Sequence, residues 1–291
     1  MVFKGSCVAL ITPFDQKNNV DYFTLKQLIE FQIANGTKAI LILGTTGESA
    51  TITSEERSKI IKFCACVISK RVPLIVGTGS NSTTTAITLT KEAQNLGADA
   101  ALIVSPYYNK CNQQGLFLHY KKIASSTSLP IILYNIPSRT SVNIQPETVL
   151  KLAKIKNIVG IKESSGNISQ IMHLLEIIPK NFAVYSGDDQ LNQIIISMGG
   201  SGAISVTANC YPELVQLVCQ YSADGDIFNA RRLSFYLQKI NSALFLDINP
   251  ICIKFYMSLI GFKVGKPRLP LTEPSPEIKQ KLKDLKKAYE N

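Results

Sequence analysis

Asn157-Ile158-Val159-Gly160-Ile161-Lys162-Glu163-Ser164 is a β-branched, apolar run closed by a lysine. Apolar residues on both faces mark a strand covered on both sides, which places Lys162 at the mouth of a buried sheet. Desolvation in such a place disfavours a charged ammonium. A partly neutral amine is a nucleophile for carbonyl carbon, as Schiff-base catalysis requires. Taken alone, the commoner reading is a strand-end lysine that extends its head into water. The remainder of the chain shifts the balance.

Seven more runs of strand length resemble it: Cys7 to Ile11, Ala39 to Leu43, Pro73 to Val76, Ala100 to Val104, Ile131 to Tyr134, Ala183 to Tyr185 and Ala203 to Val206. They recur at intervals of roughly 20 to 35 residues, the size of a βα unit. Helix signals lie between them. Thr53-Ser54-Glu55-Glu56 sets a hydroxyl cap before acidic first-turn residues, and Pro146-Glu147 opens a helix with proline. Alternation alone also suits a doubly wound open sheet, but eight units predict a closed (β/α)8 TIM barrel. The barrel is expected over residues 1–224. Residues 225–291 read as a small C-terminal helical appendage: Ile227 to Leu246, Pro250 to Leu259 and Glu277 to Tyr289, the last after a proline-rich linker from Lys266 to Pro276.

Composition narrows the functional classes. The 291 residues are 45% hydrophobic and 18% charged, enough for a large core and unlike a disordered chain. No apolar run reaches the roughly 18 residues of a membrane span and no signal segment precedes Pro13, so a soluble, cytoplasmic protein is expected. Seven cysteines without a C-x-x-C pair suggest neither disulfides nor zinc. His119 and His173 lack metal-ligand spacing and read as structural or surface residues. The formal charge of +10 is spread along the chain, and its densest cluster, Lys279 to Lys287, is broken by Asp284 in a helical pattern. That is a solvated face, and a nucleic-acid role is not expected. The positive balance instead attracts small anions.

A barrel does its chemistry at the C-terminal ends of its strands. The residues there are Gly44-Thr45-Thr46-Gly47-Glu48, Gly77-Thr78-Gly79, Tyr107-Tyr108-Asn109, Tyr134-Asn135-Ile136-Pro137-Ser138-Arg139, Lys162-Glu163 and Gly187-Asp188-Asp189. Each has a bland reading beside a chemical one. The threonine loop is an anion cradle or merely a strand-to-helix turn. Gly77-Thr78-Gly79 lacks the lysine and spacing of a phosphate loop and reads as a tight turn. Tyr107-Tyr108 fits an interface plug. Arg139 is a fork for a carboxylate or the partner of a neighbouring acid. Asp188-Asp189 reads as a helix cap sooner than a metal site.

Together, Gly44-Thr45-Thr46-Gly47-Glu48-Ser49, Tyr107-Tyr108-Asn109, Tyr134 to Thr140, Gly160-Ile161-Lys162-Glu163 and Ser186-Gly187-Asp188-Asp189 closely resemble the dihydrodipicolinate synthase family. The likeness runs from Gly5 to about Pro270. The lysine segment and threonine loop are shared with the wider pyruvate-dependent class I aldolases, and Pro137-Ser138-Arg139-Thr140 is the more discriminating piece. The resemblance implies condensation of pyruvate, held as a Lys162-bound enamine, with L-aspartate 4-semialdehyde to give 4-hydroxy-tetrahydrodipicolinate, on the path to diaminopimelate and lysine. Tyr134 would pass protons through Thr45 to Tyr108, the last supplied by a neighbouring subunit. Thr46, the backbone at Ile204 and the loop at Gly187 would hold the pyruvate carboxylate, and Arg139 the carboxylate of the aldehyde. No cofactor and no metal are implied, and the assembly would be a homotetramer of two tight dimers. Where lysine-inhibited members carry glutamate and histidine, this chain has Thr85 and Arg57, so weak or absent feedback by lysine is expected. A sister aldolase of sugar keto-acids and a non-catalytic binding barrel stand as the alternatives.

Overall fold

The computed structural model describes residues 1–290. Eight parallel strands, β1 (Gly5–Ala9), β2 (Ala39–Ile42), β3 (Leu74–Gly77), β4 (Ala100–Val104), β5 (Ile131–Asn135), β6 (Ile158–Glu163), β7 (Ala183–Ser186) and β8 (Gly202–Ser205), pair in sequence order. The pairing of Cys7 with Ile204 closes β8 onto β1, completing the TIM barrel. Around it run α1 (Tyr22–Ala34), α2 (Ser54–Ile68), α3 (Thr83–Asn95), α4 (Gln113–Ala124), α5 (Pro137–Thr140), α6 (Pro146–Leu152), α7 (Ile168–Ile177), α8 (Asn192–Ser197) and α9 (Pro212–Ala223). The predicted capping box is formed: the Thr53 hydroxyl accepts from the Glu56 amide, and Glu56 accepts from the Thr53 amide.

Strand ends differ from the sequence reading by one or two residues because the apolar pattern runs on into loops. Val206 is buried yet lies past β8, while Lys162 and Glu163 are inside β6 rather than beyond it. Alternation sends one set of side chains outward to the helices and the other into the barrel. The inner set includes Cys7, Leu41, Ile75, Leu102, Ile132 and Tyr185. Phe3 stacks on Tyr185 with centroids 4.2 Å apart and its amide and carbonyl meet the Tyr185 hydroxyl, which plugs the N-terminal mouth.

One irregularity decides where the lysine points. Ile131 is paired with Ile158, but the next residue, Ile132, is paired with Gly160, so Val159 is an extra residue in β6. Ile158 and Ile161 both pack outward although they are three apart. Without that bulge Lys162, four residues from Ile158, would face the helices too; a slip of one residue reverses every face. Glycine at 160 lets β7 lie close beside the bulged strand, because a Cβ there would lie 2.8 Å from the Ala183 carbonyl oxygen.

Beyond the barrel come α10 (Ile227–Ala243), α11 (Ile251–Leu259) and α12 (Pro276–Glu290). Leu282 of α12 is fully buried and Ile278 and Leu285 pack on the same core, leaving the lysines of that helix to the opposite side. Among the described residues no helix is long and apolar enough to cross a membrane.

Candidate active site

Lys162 and Tyr134 are directly paired across β5 and β6, and both point into the barrel near its C-terminal mouth. The Lys162 side chain is 5% exposed, and its Nζ lies 4.5 Å from the centre of the Tyr134 ring. The charge of Lys162 is felt by buried Cys7, whose thiol is pushed up by burial while that charge works in the opposite direction. On the other face of β6, Glu163 accepts from Asn135 Nδ2 at 2.9 Å and from the Ser165 amide at 2.6 Å. Burial raises the Glu163 carboxyl above its usual range, and these donors oppose the rise. Through Asn135 the network reaches Asn143 and the Ile144 amide, fixing the strand that carries Tyr134.

The threonine loop is a compact turn. The Gly47 amide donates to Gly44 O and the Glu48 amide to Thr45 O, both at 3.1 Å, and Thr12 Oγ1 donates to Gly47 O at 2.7 Å. Leu43 and Glu48 on its flanks take left-handed φ values of 55° and 56°, unusual for residues with large side chains. Gly77 proves to be a close-approach glycine instead of a turn residue, since a Cβ there would overlap Leu43 O. Thr46 is buried and its hydroxyl accepts from Asn249 Nδ2 at 2.9 Å. Gly187 follows β7, where a Cβ would lie 2.6 Å from Lys162 Cε and collide with Ser164 Oγ. Ile204 is an inward residue of β8.

A cavity of about 560 Å³ opens over this mouth, and Thr45, Tyr134, Arg139, Arg57, Thr85 and Tyr107 are among the residues that line it. Arg139 is exposed on α5 and donates from Nη2 to Asn249 O at 3.1 Å. Neither a neighbouring acid nor a salt bridge claims it among the described residues. The chain therefore brings Lys162, Tyr134, Thr45, Thr46, Gly187, Ile204 and Arg139 to one end of the barrel. It does not bring Tyr108 there: that ring is 92% exposed, on a residue with φ of 68°. Asp189 does cap, but not the helix that follows it; its Oδ2 accepts from the amides of Val206 and Thr207 after β8. His119 is buried on α4 against Thr83, and His173 is exposed between Glu147 and Glu176. Among the described residues no cluster of three histidine, cysteine or carboxylate side chains stands ready for a metal.

Asn249, Lys254 and Arg268 escaped the sequence reading, although they hold the site from the C-terminal region. Their signal was faint: a lone lysine inside the apolar stretch Ile251-Cys252-Ile253-Lys254-Phe255-Tyr256-Met257.

A buried amine against a tyrosine ring, below an open cavity at the carboxyl end of a (β/α)8 barrel, is the architecture of a lysine-dependent carbonyl enzyme. The chain belongs to the dihydrodipicolinate synthetase family, whose model matches residues 2–289. It is 47% identical over 284 residues to the 4-hydroxy-tetrahydrodipicolinate synthase of Thermodesulfovibrio yellowstonii, covering 98% of this chain and 97% of that one. The crystal structure of dihydrodipicolinate synthase from Aquifex aeolicus matches with a TM-score of 0.97 and 45% identity over 99% of this chain and 98% of that one. The chloride-inhibited dihydrodipicolinate synthase of Acinetobacter baumannii, complexed with pyruvate, matches with a TM-score of 0.96 and 42% identity over 99% of this chain and 98% of that one.

Proposed function

We propose that this chain is an enzyme that condenses pyruvate with L-aspartate 4-semialdehyde to 4-hydroxy-tetrahydrodipicolinate. The observation that carries the reading is the buried Lys162 amine set 4.5 Å from the Tyr134 ring beneath a cavity that Arg139 also lines. Lys162 adds to the pyruvate ketone and water leaves, giving a protonated imine that serves as electron sink. Loss of a methyl proton yields the enamine, whose carbon attacks the aldehyde and leaves an alkoxide that takes up a proton. The substrate amine then adds to the imine carbon, closing the ring and expelling Lys162.

In this reading Tyr134 donates and accepts the moving protons and Thr45 relays them. Thr46, with the backbone at Ile204 and the loop at Gly187, receives the pyruvate carboxylate, and Arg139 receives that of the aldehyde. Tyr108 completes the relay from a neighbouring subunit in a homotetramer. Its aromatic ring in solvent, on a left-handed backbone, suits a residue whose partners lie on another copy. Residues 1–224 form the catalytic barrel and the region 225–291, of which Asn291 lies outside the described residues, is the helical part that supports it; the reaction takes place in the cytoplasm.

The test is a steady-state assay with pyruvate and aspartate 4-semialdehyde, run beside cleavage of sugar keto-acids. Product from the first pair, abolished by Arg139→Ala while pyruvate still binds, is expected. Turnover of sugar acids alone would assign the chain to the sister aldolases.

A further inference from the structure

Glu48 ends the threonine loop, lines the cavity and has a side chain only 1% exposed. A buried carboxylate is costly unless charged or hydrogen-bonding partners surround it. Both of its oxygens are satisfied from the far end of the chain. Oε1 accepts from Lys254 Nζ of α11 at 2.8 Å, and Oε2 accepts from the Arg268 amide at 2.8 Å. Lys254 is wholly enclosed: it also donates to Lys266 O at 3.1 Å, and its Nζ sits 4.1 Å from the centre of the Phe14 ring. The Arg268 guanidinium lies 4.2 Å from that ring centre and pairs with Glu56 at the start of α2. No strand of the barrel supplies a partner to the Glu48 carboxylate among the described residues.

The loop needs such support. Its flanks, Leu43 and Glu48, are both left-handed without being glycine, and a disfavoured backbone persists only where its surroundings hold it. Lys254 fixes one flank through an ion pair shielded from water.

We propose that Lys254 is a positioning residue for substrate binding: through Glu48 it holds the Thr45–Thr46 turn in the shape that receives the pyruvate carboxylate. The C-terminal helical region is thereby a working part of the substrate site. The inference rests on the reading of that turn as the carboxylate site.

A pH dependence follows from the same geometry. Burial brings the Lys254 ammonium down to about 8, with Arg268 adding to the fall and Glu48 resisting it. The groups that face it are Glu48 and Arg268, the latter also against the Phe14 ring and itself paired with Glu56. The ion pair is complete below about pH 8 and is lost above it as Lys254 sheds its proton.

The experiment compares wild type with Glu48→Gln, Lys254→Met and the double variant. Pyruvate KM is measured from pH 6.5 to 9.5, and imine formation is followed by borohydride trapping. Each single variant is expected to raise pyruvate KM about tenfold at pH 7 with kcat at saturation within about threefold, the signature of lost binding that is shared by ground and transition states. The double variant should be no worse than the poorer single one, since both remove the same contact. The rise of wild-type KM above pH 8 should also flatten in the double variant. Unchanged KM in all three, whatever their melting temperatures, would overturn the positioning role, as would fully additive effects. If Lys254→Met does not fold, Glu48→Gln alone decides, because it keeps the side-chain shape. A wild type that forms no imine with pyruvate would instead sink the underlying functional reading.

Discussion

Asn249 Nδ2 donates to Thr46 Oγ1 at 2.9 Å, while the backbone oxygen of the same asparagine accepts from Arg139 Nη2 at 3.1 Å. One residue of the C-terminal region thus touches both proposed carboxylate sites. Because the Arg139 contact uses the backbone, a side-chain change separates the two. Asn249→Ala is expected to raise pyruvate KM about tenfold, equivalent to about 1.4 kcal/mol and within the range for a lost buried hydrogen bond. The aldehyde KM should move much less. Titrations of each substrate at saturating levels of the other check this.

Gly187 marks how closely the loop after β7 approaches the amine. A methyl group there would meet Lys162 Cε at 2.6 Å and clash with Ser164 Oγ. Gly187→Ala should therefore fold, since the loop lies at the barrel mouth and not in the core, but displace Lys162. A loss in kcat of about 100-fold is expected for an error of roughly 1 Å in a reacting group. Circular dichroism and single-turnover imine formation would separate misfolding from misplacement.

Acid stability has an identifiable source in His119. Burial lowers its imidazole to about 4 from an ordinary value of 6.5. Between those values the unfolded chain binds more protons than the folded one. The stability is complete above pH 6.5 and is lost as pH falls towards 4, with about 3 kcal/mol at stake. Glu56, held down to about 2 chiefly by Arg268, loses its contribution only below its ordinary 4.5, so it does not contribute to a comparison made at pH 5 and above. Urea unfolding at pH 7 and pH 5 should show wild type losing about 2 kcal/mol more than His119→Gln. Equal losses would mean that the imidazole takes up its proton as readily in the folded chain as in the unfolded one.

The same cavity bears on feedback. Arg57, only 6% exposed, lines it beside Thr85, and the nearest carboxylate to its guanidinium is that of Glu92 at 3.9 Å. A lysine ammonium brought there would meet like charge and find no free anion on Thr85. Steady-state rates are expected to be unaffected by submillimolar lysine, and inhibition in that range would contradict the reading.

How much of this was legible in the sequence depends on the distance over which each feature is specified. Lys162 and Tyr134 were readable because each ends an apolar run, and the barrel turns strand ends into a site. The inward direction of Lys162 was not, since it depends on the Val159 bulge and on how close Ala183 comes to Gly160, which no local pattern reveals. Gly77 looked like a turn for the same reason: its constraint is the carbonyl of Leu43, on another strand's end. Asn249 and Lys254 lay hidden because their partners, Thr46 and Glu48, are more than 200 residues away. A buried charge declares itself only when its counter-charge is known.

The most direct measurement is borohydride reduction of the protein with pyruvate, followed by intact-mass and peptide mapping. A single pyruvate-derived adduct on Lys162, absent from Lys162→Ala, is the expected result. No adduct on folded protein, or an adduct on another lysine, would contradict the assignment of Lys162 as the nucleophile on which the mechanism depends.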